Sequence, residues 1–233
     1  FYKNWLTQTF NLDENSIQVL PNIIFKDTQS LESIDIKFKD PNKKLVVFYG
    51  RMERLKGIDL LIEAIIKSNK SSCMHNILFA GVSTKIDGID AKDYIEKALK
   101  DIPCEIQFKF NCKPVEVFNY VKNNKGVCVF PTLGENAPCV VVECILHSVP
   151  FIASDIPGIK EMVTAKYHQQ YLFKTGSLSG LVEKLNETYI APTDEVLSYD
   201  MPINEYAWVD LLSNSHNFLN KKAILSDNAF SSL

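Results

Sequence analysis

Four charged residues fall in two short stretches whose composition suits anion and polyol binding. Arg51 and Lys56 share one loop, bracketed as Gly50-Arg51 and Lys56-Gly57. A guanidinium offers a planar fork of donors and an ammonium a compact point charge. A helix starting just beyond them would add free N–H groups and the positive end of its dipole. That set fits a diphosphate. Glu135 and Glu143 have seven residues between them. Glu135 reads as a loop residue, and Glu143 lies about a turn and a half into the helix that Pro138, Cys139 and Val140 open. Two carboxylates flanking a helix N-terminus can accept hydroxyls of a sugar on one side of a diphosphate and of a ribose on the other. Taken singly, each feature also reads as ordinary surface: Arg51 and Lys56 as solvated charges, the glutamates as a dipole-favoured residue and a solvated helix position. Glu143, however, sits within Val140-Val141-Val142-Glu143-Cys144-Ile145, where a carboxylate needs a partner.

The elements that must position these residues alternate along the chain. Short runs rich in Val, Ile and Phe read as strands: Leu45–Tyr49 ended by Gly50, Asn76–Ala80 ended by Gly81, Cys104–Phe110, Gly126–Phe130 ended by Pro131, Pro150–Ser154, and a short sixth at Tyr171–Phe173. Ile17–Leu20 is either a strand or part of the lead-in. Between the strands, apolar residues recur at helical spacing: Ile58 to Ile66, Tyr94 to Ala98, Val117 to Val121 after Pro114, Val140 to His147, and Leu178 to Tyr189. Strands that are apolar throughout are covered on both faces. The pattern from about Leu45 to Tyr189 therefore predicts an α/β fold with a doubly wound parallel, Rossmann-like sheet. Residues 1–40 read as linker and lead-in, 41–190 as the sheet domain, and 191–204 as a polar linker. A helix over Glu205–Leu219, carrying Trp208, and a frayed tail after Lys221 complete the chain. In such a sheet ligands bind outside the carboxyl ends of the strands. The glycines and charges gather there: Gly50-Arg51, Gly81, Phe110-Asn111-Cys112-Lys113, Pro131 to Glu135, and Asp155, Gly158 and Glu161.

Composition narrows the function classes. The 233 residues are 46% hydrophobic, enough for a substantial core, and 25 Lys plus Arg stand against 28 Asp plus Glu, a net charge of −3. This balance argues against a broad nucleic-acid footprint, so any anion site is local. No apolar run approaches the ~18 residues of a membrane-spanning helix, and no signal peptide opens the chain. It begins at Phe1 and reads as a piece of a longer protein. Cys73, Cys104, Cys112, Cys128, Cys139 and Cys144 form no C-x-x-C pair, which favours buried thiols in a reducing compartment over a zinc site. Sequons at Asn69 and Asn186 stand without other signs of secretion. His75, His147, His168 and His216 form no triad or metal set; His147 reads as structural. Neither G-x-G-x-x-G nor G-x-x-x-x-G-K-[ST] occurs, which argues against a dinucleotide oxidoreductase and a P-loop nucleotidase.

Taken together and in order, these stretches resemble the C-terminal lobe of retaining GT-B glycosyltransferases, family four of the sequence-based classification. The matching segments are Phe48-Tyr49-Gly50-Arg51 with Lys56-Gly57-Ile58-Asp59-Leu60-Leu61, Pro131 through Glu143, and Pro150–Asp155 continuing to Gly158-Ile159-Lys160-Glu161. Leu20-Pro21-Asn22 is similar to the family's linker entering this lobe. The resemblance implies that Arg51 and Lys56 hold the donor diphosphate as leaving group. It implies that Glu135 binds the donor sugar near its reacting carbon and Glu143 the ribose hydroxyls. Gly50, Ala137, Pro138, Cys139 and Val140 would line the donor, with Cys139 and Val140 meeting ribose and phosphate through their backbone, and Asn111 and Cys112 would face the base. It implies hexosyl transfer from a nucleotide-sugar donor, with retention and without a metal or other cofactor. The partners would be an N-terminal lobe of the same protein and a sugar, lipid-linked or protein acceptor. The setting would be cytoplasmic, with any peripheral membrane contact made by that other lobe, and the present chain would bind donor without turning it over. Departures are Phe110 at a usual glycine, Pro157 in place of one of a glycine pair, and Asn136-Ala137-Pro138 after the first glutamate. A catalytically silent nucleotide-sugar-binding module is the alternative. A GT-B-like epimerase fits the glutamate spacing less well.

Overall fold

The computed structural model describes residues 2–24, 32–69 and 74–213. Its elements are α1 (Tyr2–Phe10), β1 (Lys44–Arg51), α2 (Ile58–Asn69), β2 (His75–Val82), β3 (Lys85–Ile86), β4 (Ile89–Asp90), α3 (Ala91–Leu99), β5 (Ile106–Phe110), α4 (Pro114–Asn123), β6 (Val127–Phe130), α5 (Cys139–Leu146), β7 (Phe151–Ser154), α6 (Pro157–Lys160), α7 (His168–Tyr171), β8 (Leu172–Phe173) and α8 (Leu178–Asn186). A further helix covers residues 201–213. Six strands form one sheet in the order β5-β2-β1-β6-β7-β8, every neighbouring pair parallel. Counted within the sheet alone this is 3-2-1-4-5-6, the doubly wound order.

The strands are apolar at consecutive positions because each face has its own core. Leu45 and Val47 of β1 join Leu78, Ala80, Cys128 and Phe130 against Val117 and Phe118 of α4 and Val141 and Ile145 of α5. Val46 and Phe48 join Ile77, Phe79, Val127 and Val129 against Leu61 and Ile65 of α2, Ile95 of α3 and Leu181 of α8. Residues one apart on a strand point to opposite faces, so an unbroken apolar run supplies both layers. Each fully buried aliphatic or aromatic side chain contributes about 1.5–3 kcal/mol. The six expected strands are thus all present, with ends moved by one or two residues.

Two compact units divide the chain, Ile24–Ser198 and a second made of Phe1–Ile23 with Tyr199–Leu233. In the second, Asn204 Nδ2 and Trp208 Nε1 both donate to the Pro21 carbonyl, at 2.9 and 2.7 Å. The sheet unit is wider than 41–190. On its N-terminal side Ile34 is buried, Tyr120 OH donates to the Ile36 carbonyl and Asn76 Nδ2 to that of Asp40. On its C-terminal side the expected polar linker over 191–204 is instead structured. Val196 is buried, its carbonyl accepts from the Thr164 N–H at 2.8 Å, and Leu197 bridges to Val163. Thr164 Oγ1 donates to the Glu195 carbonyl, and Lys166 and Tyr167 OH donate to the Glu195 carboxylate, so polar contacts anchor the stretch beside its few apolar ones. Ile17–Leu20 is not a strand, and the β3–β4 hairpin and α1 are additional elements. Residues 214–219 of the expected terminal helix and the tail after Lys221 lie outside the described residues, as do Cys73 and His216.

His75 opens β2 with its ring buried, Nδ1 at 3.3 Å from Asn69 Oδ1 and Nε2 at 3.2 Å from the Leu185 carbonyl. Burial lowers its pKa below the ordinary 6.5; the Leu185 contact opposes this and Lys44 adds to it. The unfolded chain therefore takes up this proton at higher pH than the folded chain, and stability rises with pH between the two values. The contribution is complete above pH ~6.5 and is lost as pH falls below it. Urea midpoints at pH 7.5 and 5.5 should differ in that direction, and His75→Gln should shrink the difference.

Candidate functional site

β1 has β2 on one side and β6 on the other, and the chain order reverses at β1. The carboxyl ends of β1 and β6 therefore open the crevice in which open α/β sheets bind ligands. A cavity of about 260 Å³ lies there. Phe48, Tyr49, Gly50 and Arg51 from β1 line it, with Lys56, Phe130, Thr132, Glu135, Pro138, Cys139, Val140 and Ile159.

Local backbone constraints bring the cationic loop against the acidic one. The single helical turn Arg54–Lys56 ends on Gly57, which takes a left-handed φ of 78°. A Cβ there would lie 1.9 Å from the Pro131 carbonyl oxygen, so only glycine allows the approach. The Leu55 carbonyl then accepts from the Leu133 N–H at 2.9 Å and from Thr132 Oγ1 at 3.1 Å. Across this join the Lys56 ammonium donates to Glu135 Oε2. A second close approach backs the acidic loop, since a Cβ on Gly158 would lie 1.8 Å from the Asn136 carbonyl oxygen. On the outer side Arg54 pairs with Asp59 and Asp87, and Tyr94 OH donates to Asp59 at 2.8 Å. Arg51 pairs with Glu53 at 3.1 Å. Burial lowers the Lys56 pKa and the Arg51 charge lowers it further, while Glu53 opposes both.

Helix α5 starts at the cavity. Its first residues, Pro138, Cys139 and Val140, line the cavity, and Pro138 makes no side-chain cap, so the positive end of the helix dipole lies at the crevice. Glu143, one turn further along, does not line the cavity. It is half-buried, its pKa is raised by burial, and among the described residues no donor hydrogen-bonds its carboxylate. The Tyr49 phenol is pushed up by burial first and then by Cys112 and Glu143, so these two groups share its surroundings. Tyr49 packs edge-on to Phe118, which in turn meets the His147 ring at 5.6 Å, consistent with a structural His147.

Of the residues singled out from sequence, Gly50, Arg51, Lys56, Glu135, Pro138, Cys139 and Val140 meet at one cavity. Cys112 and Glu143 do not line it, but both act electrostatically on Tyr49, which does. The Ala137 carbonyl sits 3.9 Å from Cys139 Sγ. Asn111 is exposed at the end of β5, with φ of 54° and its N–H donating to Gly81 O at 3.1 Å. It does not line the cavity. Its left-handed backbone, which asparagine tolerates, lies next to the Phe110 departure. The thiols are not uniformly buried: Cys128 and Cys144 are, Cys104 and Cys112 are half-buried, and Cys139 is exposed. Glu53, Thr132 and Tyr49 were not legible as site residues. A carboxylate two positions after Arg51 and a hydroxyl two positions after the end of β6 were the available signals.

A doubly wound sheet with cations and a helix N-terminus at its switch point defines a site for a phosphorylated ligand. The family profile described as Glycosyl transferases group 1 matches residues 30–196, and the chain belongs to that family. Sucrose synthase of Solanum tuberosum is 21% identical over 155 residues, covering 62% of this chain and 19% of that protein. The chain spans about a fifth of the length of the curated relatives it matches. Among solved structures, the C-terminal domain of the group 1 glycosyl transferase LpcC from Francisella tularensis has a TM-score of 0.50 at 19% identity, covering 61% of this chain and 73% of that one. HepE of Anabaena, solved in complex with UDP and glucose, has a TM-score of 0.56 at 15% identity, covering 74% and 48%. The fold is that of the C-terminal domain of GT-B enzymes.

Gly57→Ala should destabilise the chain by about 2–4 kcal/mol, combining backbone strain with a steric clash. Denaturant unfolding measures this. Gly88→Ala, also at positive φ but with open space around its Cβ position, should show only the backbone part.

Proposed function

We propose that the cavity binds a nucleoside-diphosphate sugar, with UDP as the nucleotide, and that the complete protein transfers the sugar to an acceptor with retention at the anomeric carbon. The observation that carries this reading is the meeting of Lys56 and Glu135, with Arg51 and the N-terminus of α5, in one cavity at the switch point. Arg51 and Lys56 take the diphosphate oxygens together with N–H groups at Cys139 and Val140. As the bond to the sugar breaks, negative charge grows on the departing diphosphate. Fixed cations and a helix terminus stabilise that charge without rearranging, and one such donor is typically worth about 10²–10³ in rate. Glu135 accepts hydroxyls of the donor sugar. Glu143, half-buried and without a protein donor, accepts those of the ribose, and the loop at Asn111 and Cys112 faces the base.

UDP is chosen because the Anabaena relative holds UDP and glucose in the same fold. The two side-chain cations take the role that a metal fills elsewhere, so no metal is required. Among the described residues no helix is long and apolar enough to cross a membrane. The acceptor, a sugar, a lipid-linked sugar or a protein, docks on another lobe of the longer protein, and the sugar transferred is a hexose.

Calorimetric titration with UDP, GDP and ADP, with and without EDTA, tests the reading. Saturable UDP binding that survives EDTA and weakens at least about tenfold in Arg51→Ala is expected, as for loss of a charge-assisted contact to phosphate. A folded chain that binds none of the three would overturn it.

A further inference from the structure

The two cations of the cavity already have carboxylate partners: Lys56 has Glu135 and Arg51 has Glu53. The pairs differ in setting. Arg51 is 62% exposed, so its pair is screened and weak, whereas the side chains of Lys56 and Glu135 are 21% and 26% exposed. A diphosphate that recruits Lys56 must displace the Glu135 carboxylate. Glu135 cannot simply swing away with its loop. That loop is fixed to Leu55 by the Leu133 and Thr132 hydrogen bonds and pressed by Gly158 from behind.

We infer that Glu135 discriminates between a nucleotide sugar and the bare nucleotide. The inference rests on the donor reading above. When UDP alone enters, phosphate takes Lys56 and leaves a partly desolvated carboxylate beside a second negative group, both unfavourable. When a UDP-sugar enters, sugar hydroxyls donate to Glu135 as Lys56 turns to phosphate, and every group is satisfied. The site therefore holds the donor and releases the diphosphate product, because the return of Glu135 to Lys56 favours departure of UDP. Glu135 acts as both a sugar-binding group and a competitor for the phosphate cation.

Calorimetry with UDP and UDP-glucose on the 233-residue chain, on Glu135→Gln and on Glu135→Ala tests this. Both variants should bind bare UDP more tightly than the wild type, by roughly three- to tenfold, the range of a modest ion pair released to a new partner. This comparison does not depend on which sugar the protein prefers. The wild type should bind UDP-glucose more tightly than UDP, and in the variants that preference should shrink. Circular dichroism confirms that each variant is folded, and the two substitutions guard against the failure of either. UDP binding that is unchanged or weaker in both folded variants would overturn the inference while leaving the donor site intact. Absence of UDP binding by the wild type and both variants would overturn the donor reading, and the inference with it.

Discussion

The loops that follow β1 and β6 can meet because residue 57 has no side chain. At φ of 78°, with the Pro131 carbonyl oxygen 1.9 Å from where a Cβ would sit, the backbone of one loop lies directly on the backbone of the other. The Leu55 carbonyl then closes the join with two hydrogen bonds. Lys56, the next residue back from the glycine, has its ammonium delivered to Glu135 as a consequence. Gly158 repeats the device on the far side, letting α6 press on the Asn136 carbonyl. The polar groups of the site thus inherit their positions from backbone contacts that tolerate little movement.

The sheet supplies the platform for those contacts. Two cores, one per face, are threaded by alternate residues of the same strands, so β1 and β6 are fixed from both sides as far as Phe48 and Phe130. The site begins where that burial ends. Phe48 and Phe130 remain buried, Tyr49 and Gly50 are half-buried, and Arg51 is exposed. Over four residues β1 passes from core to charged rim. This gradient lets a protein with a net charge of −3 gather cations, each beside a carboxylate, at one strand end without a broad basic face.

Much of this architecture was legible because parallel strands buried on both faces leave an unmistakable sequence trace: apolar runs such as Leu45–Tyr49, ended by Gly50, and Gly126–Phe130, ended by Pro131. The location of the site followed, since the glycines and charges fall at the ends of those runs. Less was legible where few residues decide the structure. The β3–β4 hairpin rests on Ile86-Asp87-Gly88-Ile89, an Asp-Gly turn between apolar residues, but its strands are only two residues long. Residues 191–198 look like linker because their few apolar anchors, Pro192, Val196 and Leu197, lie among Thr193, Asp194, Glu195 and Ser198. Within the site, residue types could be read but pairings could not. Nothing in the spacing of Lys56 and Glu135, 79 positions apart, shows that one neutralises the other. Nor does the sequence show that Glu143 falls outside the cavity lining, behind Tyr49.

That separation gives the two glutamates different chemistry. Glu135 faces a cation, so its carboxylate is compensated before any ligand arrives, and a ligand must replace one favourable contact with another. Glu143 is half-buried near the Tyr49 phenol, and burial raises its pKa with no opposing partner. A ligand hydroxyl donating to it would favour the ionised form and draw the pKa back down. Its gain on binding therefore comes from relieving an unsatisfied group rather than from exchanging a satisfied one. A polyol reaching Glu143 needs no help from phosphate, whereas one reaching Glu135 needs the phosphate to take Lys56 at the same moment. The N-terminus of α5 lies between the two carboxylates in the chain, with Cys139 and Val140 on the cavity. A ligand that satisfies both must present hydroxyls on either side of an anionic centre, and a sugar joined to a nucleoside through a diphosphate has that layout.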